Sequence, residues 1–379
     1  MRTFPTLAMF VLSLSTCAAD LPQGVTQPLK LAPGANNPRN SEGDFARLSD
    51  GRVLFVYTHF TGGTGDAAAA HLASRVSADD GRTWSDKDVV VAERPADAQN
   101  IMSVSLLSLA DRGGQKNRVA LFYLLKKSNS DCRAVMRVST DDGKTWTEPR
   151  LCMPEVGYFV VNNARAVQLK SGRIILPAAQ HDWTKDKTRP GTHRGVACTF
   201  YSDDDGVTWK QSASALEAPE ASRSGLQEPL VAELSDGRLM MLCRTDQGSQ
   251  FRSYSADAGH TWEPAKATDL LSPLSPASVT RLPKTGHLLM AWNDHTGVDP
   301  KLKGKRTPFT VAISKDEGQT WTSRKTLYAD PLGWYCYTAI HVTADGHVLL
   351  GHCAGQQAKG SSGLATTVVT RFPVEWAYK

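Results

Sequence analysis

Polar side chains able to do chemistry recur in this chain at the ends of short apolar runs. Arg39, Glu42 and Asp44 lie close together, and Asp66 follows in a Gly-rich loop. Asn162, Asn163 and Arg165 form a second set, and Gln180, His181, Asp182 and Trp183 a third. Glu228 and Arg244 bracket an apolar hairpin, Asn293, Asp294 and His295 end another, and Arg306, Tyr335 and Tyr337 open further runs. The carboxylates Glu42, Asp44, Asp66 and Glu228 suit general acid–base work. The guanidinium groups of Arg39, Arg244 and Arg306 are planar, permanently charged donors. Any one of these residues would pass for part of a solvated rim. The set, held against apolar strands, would not.

A repeat positions them. Ser77-Ala-Asp-Asp-Gly-Arg-Thr-Trp84 recurs from Ser139, Ser202, Ser255 and Ser314, giving five copies of SxDxGxTW at spacings of 62, 63, 53 and 59. Asp caps backbone N–H groups in such a turn, Gly supplies a positive φ, and Trp packs beneath. Interleaved turns at Asp50-Gly51, Ser171-Gly172, Asp236-Gly237, Thr285-Gly286 and Asp345-Gly346 each precede an apolar strand such as RVLFVY (52–57). Asp-Gly between two apolar runs signals a tight hairpin. The repeating unit is four strands, and six units of about 55 residues predict an all-β, six-bladed β-propeller with five boxes. The sixth unit begins near Tyr337 and lacks its box, and residues around 24–33 are expected to complete the last blade. Because strands alternate in direction, the two turn types share one face. The polar sets above then share the other, where a ligand should bind.

The boxes resemble the Asp boxes of the sialidase (neuraminidase) superfamily, and the resemblance covers residues from about 36 to 371. Asp boxes also occur in non-hydrolytic propellers, so they bear on fold more than on function. QEPLVAELSDGRLMMLCR (227–244) is similar to the family segment with Glu at one strand start and Arg at the next strand's end. RTPFTVAIS (306–314) resembles the family's Arg eight residues before a box Ser. YTAIHVTADG (337–346) resembles the segment of the nucleophilic Tyr, and Asp66 resembles the acid/base Asp. The resemblance implies a retaining exo-glycosidase that releases terminal sialic-acid-like sugars. Tyr337 would be the nucleophile, Glu228 its base, Asp66 the acid/base, and Arg244 and Arg306 the carboxylate clamp. A neutral Tyr avoids the repulsion that a carboxylate nucleophile would meet, and sialidases are the known exception in this respect. One departure stands out: the first-blade Arg of the family is replaced by Ser41, with Arg39 two residues early. Glu42 and Asp44 beside the pocket would oppose a carboxylate substrate.

Two rival readings keep the bowl. One is hydrolysis of a neutral or uronic glycoside by two carboxylates, and the other is a non-catalytic glycan-binding propeller. Turnover of a fluorogenic sialoside separates the first reading from both. The partner in every case is a glycan or glycoconjugate. A formal charge of +5 arises from scattered residues, with no basic block of the kind that tracks nucleic acid. No cofactor is expected, and the cysteines show no CxxC pair or His-linked spacing for zinc. Residues 1–19, with Arg2, an apolar run from Leu7 to Leu14 and Cys17-Ala18-Ala19, read as an export signal ahead of a single domain at 20–379. Leu14-Ser15-Thr16-Cys17 also resembles a lipobox, which would anchor an exported protein through Cys17. No segment is long and apolar enough to span a bilayer. Of the six later cysteines, buried free thiols are the preferred reading over disulfides.

Overall fold

The structure, a computed structural model, describes residues 21–111, 116–182, 193–357 and 361–379. The expected export signal, Cys17 and Trp183 lie outside the described residues. Among the described residues every element is a strand, apart from the short 3-10 turns Pro300–Leu302 and Val374–Tyr378. Three sheets are four-stranded antiparallel meanders spanning 39–92, 227–271 and 278–328. A fourth joins Gly333–Val342, His347–Gln356 and Thr367–Pro373 to Thr26–Leu31, which adds itself antiparallel from the other end of the chain. The remaining sheet has nine strands. It fuses meanders 100–151 and 167–211 through Tyr158–Val160, which pairs antiparallel with Ile174–His181 and parallel at Cys132.

The apolar cores lie between successive meanders. Leu54 and Val56 of the first pack with Leu106, Leu121 and Val135 of the second. Leu230 and Met240 of the fourth pack with Leu288, Met290 and Ala312 of the fifth. Phe45 and Phe55 of the first also pack with Leu349 and Val369 of the last. Middle strands such as Val53–Phe60 are therefore buried on both faces and read as unbroken apolar runs, whereas the outer Val89–Ala92 is largely exposed.

All five SxDxGxTW turns share one hydrogen-bond scheme. In the first, Ser77 Oγ donates to Asp79 Oδ1 (2.8 Å) and accepts from the Gly81 N–H (2.8 Å). Asp79 in turn accepts from Thr83 N (2.8 Å) and Thr83 Oγ1 (2.7 Å). Asp80 and Gly81 both take positive φ, of 56° and 81°, which is why Gly is required. These turns interlock with the hairpin turns of the preceding meander. Ser49 N donates to Asp142, Arg118 to Asp205, Arg173 to the Ala258 carbonyl and Ser235 N to Glu317. The series returns to its start at Arg82, which pairs with Asp345 of the last meander (2.6 Å). Between the fifth and last meanders, where a box is absent, Thr285 and His287 bond the Tyr378 hydroxyl instead.

Candidate active site

Four inner strands are bulged at the same point. Register shifts fall between Ser41 and Asp44, Met102 and Ser105, Gln227 and Leu230, and Cys336 and Ala339. Inside each bulge a non-glycine residue takes positive φ: Glu42 (59°), Ser103 (62°), Glu228 (44°) and Tyr337 (57°). Ala164 (54°) does the same where the inner strand of the third meander breaks. Such backbone costs about 1–2 kcal/mol per residue, so its repetition at one level asks for a reason. The bulge supplies it, because an extra residue re-aims a side chain that would otherwise follow the pleat.

Tyr337, Glu228, Arg244 and Arg306 come together here. Glu228 Oε2 lies 2.9 Å from Arg244 Nη1, and Arg244 also donates twice to Gln227 Oε1 (3.1 and 2.8 Å). The Arg306 guanidinium is flanked by the Tyr337 ring (5.1 Å) and the Trp334 ring (5.0 Å). Its Nε and Nη1 are buried without a hydrogen-bond partner. Burial pushes the Tyr337 hydroxyl above the usual phenol range; the Glu228 charge adds to this, while Arg306 and Arg244 oppose it. Tyr335, two residues earlier, instead stacks on Tyr328 (4.9 Å) within an apolar cluster.

Arg39 is spent internally. Fully buried, it donates to Ser41 Oγ (2.9 Å), the Thr64 carbonyl (3.0 Å), Asp66 Oδ1 (2.6 Å) and Glu42 Oε1 (2.8 Å). The Asp66 side chain remains 63% exposed. Glu42 also accepts from Ser103 Oγ (3.1 Å). Burial pushes Glu42 up to about 7 despite the opposing Arg39 charge, with Asp66 and Glu228 adding to the rise.

The other expected residues have different surroundings. Asn163 lies in the break of the third inner strand, outside any strand, and its amide donates to the carbonyls of Gly43 (2.8 Å) and Tyr337 (3.0 Å). Asp44 and Arg165 line a separate cavity of about 190 Å³ to which all six meanders contribute. There burial pushes Asp44 up to about 7 and Arg165 down to about 10. Arg165 also donates to Ser278 Oγ and the Ala277 carbonyl. His181 Nδ1 donates to the His193 carbonyl (2.8 Å), and its ring meets Tyr158 edge-on. Asp294 accepts from Thr296 N of its own loop (2.9 Å) and from Arg324 of the outer strand Thr322–Tyr328 (3.1 Å).

The sequence reading gave no role at the site to Ser103, Trp334, Gln227, Cys336 or Cys353. A signal for the first was present: Glu42, Ser103, Glu228 and Tyr337 each stand eight residues before an Asp (Asp50, Asp111, Asp236 and Asp345).

The family profile described as a BNR repeat-like domain matches residues 109–350. The chain belongs to this family, within the sialidase superfamily. This BNR repeat-like chain is 26% identical over 326 residues to the sialidase of Micromonospora viridifaciens, an alignment covering 77% of the chain and 46% of that relative. It spans between 38% and 55% of the length of three curated sialidases that it matches. Among solved structures, a protein of unknown function from Dyadobacter fermentans superposes with a TM-score of 0.70 at 18% identity, covering 92% of this chain and all of that one. Trypanosoma rangeli sialidase in complex with 2,3-difluorosialic acid, a covalent intermediate, superposes with a TM-score of 0.71 at 14% identity. That match covers 94% of this chain and 60% of the other. At such identities the superpositions speak for the fold alone.

Proposed function

We propose that this chain is a sialidase-type exo-glycosidase that releases a terminal carboxylated sugar from exported or extracellular glycans with retention of configuration. The six meanders are read as blades of a closed propeller, with the SxDxGxTW turns as its Asp boxes. The ring reading is supported by turn contacts and inter-meander cores that run from the first meander to the last and back. The observation that carries the function is Arg306, a buried guanidinium with two unpartnered nitrogens set against the Tyr337 ring. Buried guanidinium donors without hydrogen-bond acceptors are costly, and a substrate carboxylate would supply an acceptor.

The chemistry then follows from the residues. Arg306 and Arg244 orient the carboxylate, which brings the anomeric carbon to Tyr337. Glu228 takes the phenol proton as Tyr337 attacks, and the rise in the phenol's proton affinity makes such a base necessary. Asp66 protonates the leaving oxygen and then activates water. The clamp is two-armed, because Arg39 already gives its donors to Glu42, Asp66, Ser41 and Thr64.

Truncating one member of a buried charge contact costs about 2–5 kcal/mol. Arg306→Ala should therefore lower kcat/KM on a carboxylated sugar by roughly 30-fold to several thousand-fold, and matter far less when the carboxylate is an amide. Equal effects on both substrates would remove the clamp. A second reading, two-carboxylate hydrolysis of a neutral or uronic glycoside, draws on Glu42, which shares the repeat position of Glu228 and whose carboxyl burial pushes up to about 7. Trapping with a fluorinated substrate separates the two: a label on Tyr337 supports the first, and a label on Glu42, Asp66 or Glu228 the second.

A further inference from the structure

Cys336 and Cys353 are buried free thiols that face each other across the antiparallel ladder of the last sheet. Directly opposed residues in such a ladder have Cα atoms about 4.5 or 5.5 Å apart, within the roughly 4.4–6.8 Å that a disulfide spans. As direct partners in register they lie on the same face of the ladder, and each thiol shifts the other's titration. They form one cluster with Tyr337, packed by Trp334 and Leu364. On one side Cys336 feels Arg306 and Glu228, and on the other Cys353 feels Arg39 and Glu42.

The remaining described cysteines are placed differently. Cys132 is in register with Lys126 and Tyr158, Cys198 with Ala178, and Cys243 with Phe251. Burial pushes the thiols of Cys132 and Cys198 up to about 12, and those of Cys152 and Cys243 up as well. At Cys336 burial also pushes upward, but the neighbouring Cys353 thiol and the Arg306 guanidinium outweigh it and bring the thiol down to about 7. A nearby cation favours thiolate, the form that attacks disulfides.

We infer that Cys336 and Cys353 form a reversible dithiol–disulfide couple beside Tyr337, oxidised by small disulfide-bearing compounds. The Cys336 thiolate attacks one sulfur of the oxidant and expels the other half as a thiolate, which leaves a mixed disulfide on Cys336. Cys353 then gives up its proton and attacks the Cys336 sulfur, releasing the second half as a thiol. Two protein thiols are oxidised to one disulfide, and the oxidant is reduced to two thiols. The new bond pins Gly333–Val342 to His347–Gln356 at the residue before the bulge that aims Tyr337. Both sulfurs are buried, so exchange waits on local opening and runs on the order of minutes to hours.

The test treats the folded wild-type chain with oxidised glutathione, then dithiothreitol, and alkylates remaining thiols under denaturing conditions before peptide mass mapping. The expected product is a peptide pair linked through Cys336 and Cys353, lighter by two hydrogens and lost on reduction. Cys353→Ser should stop at a glutathione adduct on Cys336. The oxidised wild type should melt at a higher temperature than the reduced form, a shift absent from Cys336→Ser. Recovery of both residues fully alkylated after oxidation overturns the couple, as does a stable wild-type glutathione adduct without the link, or a link to another cysteine. None of these readouts uses turnover, so the outcome is independent of the sugar the site takes.

Discussion

Arg39, Arg244 and Arg306 carry the same charge into one region, and their partners divide the work among them. Two carboxylates neutralise Arg39, Glu228 balances Arg244, and Arg306 keeps open donors. A third arginine is thus present, with its donors engaged inside the protein, and Glu42 is one of the residues that engage them. Its proton affinity also predicts a pH effect. Burial raises it from 4.5 to about 7, so between those values the folded chain binds more protons than the unfolded one. The stability it contributes is complete below about pH 4.5 and declines as pH rises through about 7. His341 and His352 act oppositely in part of this window, because burial lowers both to about 4. The wild-type curve therefore mixes the two effects, and the difference from Glu42→Gln isolates the carboxyl. Melting temperatures taken from pH 4.5 to 7.5 should show the wild type losing ground to the variant as pH rises. A difference that is flat, or that moves the other way, would mean the Arg39 pair outweighs burial.

At the scale of the element, what could be read in the sequence tracks what the backbone repeats. The SxDxGxTW turns were legible in detail because each residue has a local job: Ser and Asp bind N–H groups within four positions, and Gly takes the left-handed backbone. Strands buried on two faces were legible as apolar runs. The bulges were not, because a bulge is a property of a pair of strands and one strand's sequence shows no gap. They decide where Glu42, Glu228 and Tyr337 point, and only the shared eight-residue interval before the hairpin Asp marks them. The third inner strand shows the same limit. Asn162, Asn163 and Arg165 read as a strand opening, yet the chain breaks there, because Asn163 binds two carbonyls of other sheets and Arg165 N bonds Ser105 Oγ. Asp44 looked equivalent to Glu42 in the sequence, and the bulge between Ser41 and Asp44 separates them, so that Asp44 lines a different cavity together with Arg165.

For the whole molecule, the decisive contact is the one that joins the chain's two ends. Thr26–Leu31 pairs with Thr367–Pro373, and without it that last strand would present an open edge of N–H and C=O groups. Leu31 packs with Phe45, Phe55, Leu349 and Val369, between the last and first meanders, while Val25 joins the core between the fifth and last. Burying side chains of this kind is worth about 1.5–3 kcal/mol each. A chain beginning at residue 21 keeps this strand and serves as the reference. A chain beginning at residue 33 loses the ladder and both apolar anchors together. Because every meander is locked to the next through turns and shared cores, the loss should spread through the molecule. Calorimetry should show a single transition displaced downward, with more aggregation from the exposed edge. Leu31→Ala keeps the strand and removes one anchor, so it should lower the transition less, by the roughly 2–5 kcal/mol of a buried large-to-small change. A separate early transition confined to the last sheet would show instead that the end-to-end strand stabilises only its own sheet, and that the other meanders hold without it.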